Sequence, residues 1–85
     1  MAEVQITFHN MAKIRVQAQI FTGRTLVSTC LADPGETHTL LSGSIRYDIY
    51  LRDAATGREI ARKRDNEATT VTLKQHKGHY SLTEK

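Results

Sequence analysis

Arginine and tyrosine side chains recur at even spacings between residues 46 and 64. Even spacing places side chains on one face of an extended strand. Guanidinium groups beside an aromatic ring can bind an anion, and the ring can stack against a flat ligand such as a nucleobase. The spacing therefore predicts a candidate ligand-binding face made of Arg46, Tyr50, Arg52, Arg62 and Arg64.

The same charges have a simpler explanation, which we favour. Charged side chains on the solvent side of a strand keep a sheet soluble, and Lys63 with its flanking arginines would protect an edge strand from pairing with another chain. Asp48 lies within the basic segment and can pair locally with Arg46 or Arg52. A face that binds nucleic acid or another polyanion, to which Arg58 would add a cation, is the alternative interpretation.

Two histidines, His76 and His79, flank a lysine and a glycine. In a turn both imidazoles could face a metal ion, with His9 or His38 as a third ligand. Structural zinc sites present four well-spaced ligands, however, and the single cysteine, Cys30, is far away in the sequence. We therefore predict solvated turn histidines and no metal site.

The sequence has no pattern that indicates catalysis. It contains neither a Gly-x-Ser-x-Gly nucleophile elbow nor a glycine-rich phosphate loop. The nine acidic residues are scattered, whereas acid–base catalysis by carboxylates needs a pair in one cleft. Cys30 lies in a strand-like pattern, which predicts a buried or half-buried, unreactive thiol. We expect a binding or structural module that is not an enzyme and has no cofactor.

The elements that must position these residues are β-strands, because apolar and polar residues alternate along much of the chain. Glycine and proline clusters between the alternating segments indicate turns. The pattern predicts seven or eight strands, at residues 4–8, 14–20, 25–31, 37–41, 45–52, 58–64 and 69–75 and around Tyr80 and Leu82. Residues 32–36 are expected to cross from one sheet to the other.

The most regular strand covers residues 45–52. Its apolar members are expected to point inward, and its charged members outward, as in a sheet with one solvated face. The inward set is Ile45, Tyr47, Ile49 and Leu51. In residues 25–31, Val27 and Leu31 are expected to share one face of the strand.

The segment that follows the strand at residues 45–52 has two possible structures. Residues 53–57 end in a glycine and resemble a hairpin loop, so residues 58–64 would return antiparallel to the preceding strand. Residues 54–63 could instead form a short helix with Asp53 as its N-cap, but Gly57 would cost that helix about 1 kcal/mol. We favour the hairpin, followed by a polar turn at residues 65–67.

A Pro-Gly-Glu crossover, a regular strand and an Ala-Thr-Gly hairpin succeed each other along the chain. They are Leu31-Ala-Asp-Pro34-Gly35-Glu36 with Thr39-Leu40, Tyr47-Asp-Ile-Tyr-Leu51 and Ala54-Ala-Thr-Gly57. This order resembles small immunoglobulin-like or fibronectin-type sandwiches. The resemblance implies an all-β, antiparallel β-sandwich, with a small Greek-key barrel as the alternative. It is architectural, since the paired cysteines and the tryptophan of true immunoglobulin domains are missing, so it assigns no functional residue.

Length and composition limit what the chain can be. Its 85 residues suffice for one domain, which we assign to residues 1–85. The formal net charge of +3 favours acidic partners only modestly. A single cysteine favours a reducing compartment, and we expect a cytoplasmic protein without a signal peptide or a membrane span. The expected partner is another protein or a second copy of the chain.

Overall fold

The computed structural model describes residues 4–84. Within this range the chain forms eight β-strands, so the predicted all-β class is confirmed. The strands are β1 (Val4–Met11), β2 (Val16–Thr22), β3 (Thr25–Ala32), β4 (Thr37–Ser42), β5 (Tyr47–Asp53), β6 (Glu59–Asn66), β7 (Thr70–His76) and β8 (His79–Glu84). In the same range no helix has the length and apolar character needed to cross a membrane.

The strands of residues 4–84 form two four-stranded sheets that pack together as a sandwich. The first sheet has the order β4-β1-β7-β8, and the second has the order β3-β2-β5-β6. Paired strands are antiparallel except β1 and β7, which are parallel. This pair departs from the purely antiparallel prediction. The chain reaches β7 by crossing over from the second sheet, so no hairpin fixes the direction of β7 relative to β1.

The core lies between the sheets and is built from the inward positions of the alternating strands. Fully buried side chains of the first sheet include Ile6, Phe8, Val71 and Leu73. Those of the second sheet include Val16, Ala18, Ile20, Ile49 and Leu51. The inward direction predicted for Ile49 and Leu51 is confirmed, and burial of this apolar surface is the main force that holds the sheets together.

Ile45 departs from the pattern predicted for residues 45–52. Its side chain is 69% exposed, and β5 begins only at Tyr47. The Ser42 hydroxyl donates to the carbonyl of Ser44 at 2.5 Å, and the N–H of Arg46 donates to the Ser44 hydroxyl at 3.3 Å. These local hydrogen bonds compete with strand pairing. The prediction that Ile45 points inward is therefore wrong.

The segment after β5 is a hairpin, as predicted. β5 and β6 pair antiparallel, and Gly57 has a φ of 75° at the end of the connecting turn. The N–H of Gly57 donates to the carbonyl of Asp53 at 2.7 Å and closes that turn. A positive φ favours glycine, because a side chain would clash with the backbone there. The helical alternative for residues 54–63 is wrong.

β6 extends further than the sequence predicts. Residues 65–67 were expected to form a polar turn, but Asn66 is the last residue of β6 and is buried opposite Tyr47. Asp65 has a φ of 53° at an irregularity in the β5–β6 pairing. Such a bulge lets a strand absorb an extra residue and continue. Polarity alone therefore misplaced the end of this strand.

Candidate functional site

The predicted ligand-binding residues lie mainly on the outer face of the second sheet. Tyr50 and Arg52 project from β5 on either side of the buried Leu51. Tyr50 is the register partner of Arg62 on β6, and Arg64 lines the same shallow depression as Tyr50 and Arg52. We call Tyr50, Arg52, Arg62 and Arg64 the basic face.

Arg46 does not join the basic face. It precedes β5, and its guanidinium lies 2.8 Å from a carboxylate oxygen of Asp65 and 3.2 Å from one of Glu67. The hydrogen bond that Arg46 donates to Asp65, together with the charges of both carboxylates, raises the pKa of Arg46. The charge of Arg46 is therefore neutralised by Asp65, near the end of β6, and by Glu67, which follows that strand.

A depression of about 300 Å³ lies on the basic face. Phe21 and Tyr50 meet edge to face there, with ring centroids 5.4 Å apart and planes at 87°. Arg24 and Asp48 also line the depression. The sequence reasoning had missed Phe21 and Arg24, although Phe21 directly follows the buried Ile20 and so falls on the outer face by alternation.

The cations of this depression lack acidic partners. In the part of the chain that the structure describes, Arg24, Arg52 and Arg64 form no ion pair. The Nε of Arg52 donates instead to the uncharged side-chain oxygen of Gln19, at 3.1 Å. Asp48 brings one negative charge to the same depression and accepts from the N–H of Asp65 at 2.8 Å. Guanidinium groups without an ion-pair partner can bind phosphate or carboxylate groups.

A second surface of the same sheet lies at β3, which ends the strand order, so no strand is hydrogen-bonded to one side of its backbone; β4 of the other sheet packs against it. No residue of β3 is an acid, a lysine or an arginine. Leu26, Val27 and Leu31 are exposed to solvent. Val27 and Leu31, which were predicted to share one face of the strand, both lie on its solvent side. We call these three residues the apolar edge.

A bulge shapes this edge. Ile20 of β2 pairs with Ser28 and Phe21 pairs with Leu26, so Val27 is an extra residue in β3. From Ser28 to Ala32 the pairing with β2 is regular. That regular part presents backbone donors and acceptors in the arrangement that another strand needs.

The opposite end of the second sheet, β6, has contrasting chemistry. Five of its eight residues are charged, namely Glu59, Arg62, Lys63, Arg64 and Asp65. Arg62 is only loosely paired with Glu59, at 3.8 Å. Charged edges resist pairing with another chain, because a second strand would have to desolvate or oppose those charges.

On each side of the sandwich a side-chain contact joins the edge strands of the two sheets, and we call these two contacts the closures. On one side, the Ser28 hydroxyl of β3 donates to the carbonyl of Leu41 at 2.7 Å and accepts from its N–H at 3.2 Å. On the other side, the Lys63 ammonium lies 3.3 Å from a carboxylate oxygen of Glu84 on β8. The first closure joins neutral groups, and the second is an ion pair.

Cys30 lies on the inner side of β3, half-buried against the core, as the sequence predicts. Burial raises the pKa of its thiol, while a backbone hydrogen bond from Ala18 partly offsets that effect. A raised pKa reduces the thiolate fraction at neutral pH. Cys30 is therefore a packing residue of the edge strand.

The histidines are spread over the first sheet and its turns. His76 and His79 are register partners at the two-residue turn between β7 and β8. His9 shares a 2.7 Å hydrogen bond with the Thr37 hydroxyl, on a different part of the sheet. Within residues 4–84, no group of three or more histidine, cysteine or acidic side chains is placed to hold a metal ion.

No family model, curated protein or solved structure matches this chain. The second sheet presents two surfaces of different chemistry. The apolar edge offers backbone hydrogen bonds and aliphatic side chains, which suit an extended polypeptide. The basic face offers guanidinium groups and aromatic rings, which suit an anion.

Proposed function

We propose that this domain is a non-catalytic protein-interaction module that binds an extended partner strand along β3. In strand addition, main-chain hydrogen bonds supply affinity and alternate side chains supply specificity. The observation that carries the proposal is the uncharged, apolar character of β3, an edge of a sheet whose other edge is heavily charged. Exposed strands of this kind pair readily unless they are protected.

The edge is also held in a fixed position before it meets a partner. Ser28 ties β3 to the backbone of Leu41 on the first sheet. The side chain of Asn10 donates to the carbonyl of Ala32 at 2.9 Å, at the end of β3. A strand that is already ordered loses less conformational entropy on binding. This preorganisation supports a role for β3 as a docking strand.

We further propose that the sandwich is immunoglobulin-like. β1 and β4 are neighbours in one sheet, while β2 and β5 are neighbours in the other, flanked by β3 and β6. Strands B and E, and strands C, C′, F and G, have this relation in variable-type immunoglobulin domains. The half-buried, unpaired Cys30 fits a reducing compartment, and we propose the cytoplasm.

The test compares baits that differ at the edge. The wild type and the variants Leu31→Lys and Ile45→Lys are used to capture proteins from lysate of the cells that make the protein. Leu31 and Ile45 are both exposed aliphatic residues, at 45% and 69%, but Ile45 lies between β4 and β5, outside both sheets. We expect a discrete partner that survives nuclease, binds the wild type and Ile45→Lys, and is lost with Leu31→Lys. A partner retained equally by all three baits contradicts the proposal.

Anion binding on the basic face is the second candidate function. The absence of acidic partners for Arg24, Arg52 and Arg64 among residues 4–84 favours it. A short single-stranded oligonucleotide is the probe, and its affinity should fall steeply with salt concentration. Arg52→Ala and Arg64→Ala should weaken binding, whereas Lys74→Ala on the first sheet should not. Binding that is insensitive to salt would count against this candidate.

A further inference from the structure

We propose that the strand that pairs with β3 is the β3 strand of a second copy of this chain, antiparallel and related by a two-fold axis at Thr29. The inference rests on the proposed function, since it names the partner of the same edge. A two-fold interface is isologous, so each residue i that faces residue j is matched by residue j facing residue i. The edge must therefore be complementary to itself.

The polarity of β3 has this symmetry. On either side of Thr29 the chain reads in matched pairs: small residues first, Ser28 and Cys30, and then aliphatic ones, Val27 and Leu31. In an antiparallel pair centred on Thr29, Ser28 of one copy faces Cys30 of the other within the regular part of β3, and Leu31 faces Val27 at the bulge; each contact occurs twice. Aliphatic side chains that are exposed in the single chain are thereby covered.

The charges around the edge permit this approach. The chain has a formal net charge of +3, which disfavours contact between copies in general. The outer-face neighbours of Leu31 and Thr29 on β2 are Gln17 and Gln19, which are uncharged. Two β3 strands can therefore meet without placing like charges opposite one another.

Two-fold pairing about the middle of the charged segment of β6 is unfavourable. A two-fold axis at Lys63 would place Arg62 of one copy opposite Arg64 of the other, twice. Like charges directly opposite one another destabilise a strand pair. Pairing in that register is therefore unfavourable at β6, whereas pairing through β3 closes at a dimer in which the two second sheets form one continuous sheet.

The first measurement is the mass of the protein in solution over a range of concentrations, by sedimentation. We expect a reversible dimer for the wild type and for Ile45→Lys. Leu31→Lys should dimerise about tenfold more weakly or worse, because each lysine would face an aliphatic residue across the interface. Far-UV circular dichroism verifies that each variant is folded. A wild type that stays monomeric at about 1 mM overturns the inference.

A charge swap tests the axis itself. In the double variant Val27→Glu/Leu31→Lys, each lysine faces a glutamate of the other copy, so dimerisation should recover toward the wild-type level. Val27→Lys/Leu31→Lys should stay monomeric. Equal behaviour of the two double variants contradicts the proposed register.

Cross-linking gives an independent readout. Thr29→Cys places one new thiol opposite itself across the axis, at a separation that a disulfide can span. It should form a covalent dimer under mild oxidation, faster than the wild type or Thr39→Cys on β4. If Thr29→Cys cross-links no faster than these two, the axis is not at residue 29.

These outcomes separate the inference from the proposed function. A monomeric wild type whose captured partner is still lost with Leu31→Lys overturns the homodimer and supports strand addition to a different protein. If Leu31→Lys changes neither self-association nor capture, both proposals fail.

Discussion

The two edges of the second sheet, β3 and β6, belong to the same fold but have opposite chemistry. β3 has no acid, lysine or arginine, whereas five of the eight residues of β6 are charged. Sheet proteins commonly place charge on edge strands to prevent unwanted pairing. A sheet that protects one edge and leaves the other neutral restricts strand pairing to a single direction. The difference is consistent with the binding role that we propose for β3 and with a protective role for the charges of β6.

The sides that contain these edges are also stabilised differently. Beside β3, the buried Asn10 makes three hydrogen bonds through its side chain, and Ser28 bonds a backbone group of the other sheet. Beside β6, the buried Asn66 donates to the Tyr47 hydroxyl, and the closure between sheets is an exposed ion pair. The β3 side should therefore contribute more to stability than the β6 side.

Removing two of the five charges of β6 should produce the largest change. In Arg62→Thr/Arg64→Thr both edges of the second sheet could accept a strand, so molecules could associate end to end without closing. We expect assemblies larger than a dimer, which sedimentation would detect.

The control for this experiment is Arg24→Thr/Arg58→Thr, which removes the same number of positive charges outside β6. It should associate as the wild type does. Equal aggregation of both double variants would attribute the effect to net charge and not to the edge.

The next largest effect should be the difference in stability loss between substitutions of the two buried asparagines, Asn10 and Asn66. Asn10→Ala removes bonds to the carbonyls of Ile14 and Ala32 and to the N–H of Ala12, all at 2.9–3.0 Å. We expect it to lower the free energy of unfolding by about 3 kcal/mol, against about 1 kcal/mol for Asn66→Ala, because fewer polar groups lose a partner in the second case. Urea denaturation measures both values. Equal losses would remove the energetic distinction between the two sides.

Local pattern predicted much of this fold. Alternation in residues 69–75 placed Val71 and Leu73 in the core, because a half-buried strand repeats every two residues. It could not predict the strand order or the parallel β1–β7 pair, since pairing between distant strands leaves no local signal. Ile45 was misplaced because serine hydroxyls, not alternation, decide where β5 begins.

The candidate surfaces were predictable to different degrees. Alternation correctly predicted that Tyr50, Arg52 and Arg62 share one face. It could not predict that Arg46 pairs with Asp65 and Glu67, because these carboxylates lie far from Arg46 in the sequence. The neutral composition of β3 is visible in the sequence. Its significance is not visible there, because a neutral strand matters only where the topology makes it an edge.

The pH dependence of stability that arises from Tyr47 tests the packing on the β6 side of the sandwich. Its buried hydroxyl donates to the carbonyl of Ala68 and accepts from Asn66 at 3.1 Å. Burial is the main cause that raises the pKa of Tyr47 to about 12, from 10. Between these values the unfolded chain loses the proton first, so the free energy of unfolding should fall by about 2 kcal/mol as the pH rises from 10 to 12.

Tyr47→Phe should lack that part of the alkaline decline. At neutral pH it should be less stable by about 1 kcal/mol, because Ala68 and Asn66 each lose a partner. The difference between the two proteins isolates Tyr47 from the other groups that titrate in this range. Parallel curves for wild type and variant from pH 9 to 12 would mean that Tyr47 does not couple to folding.

The smallest effect should come from the two closures between the sheets. Glu84→Gln removes the ion pair with Lys63, whose side chain is 51% exposed, and solvent screens such pairs. We expect a loss of roughly 0.5 kcal/mol that disappears in about 1 M salt. Ser28→Ala leaves the N–H and carbonyl of Leu41 without that partner, so it should cost about 1 kcal/mol at any salt concentration. If the ion pair proves worth more than the hydroxyl, the charges of β6 hold the sandwich together as well as protecting its edge.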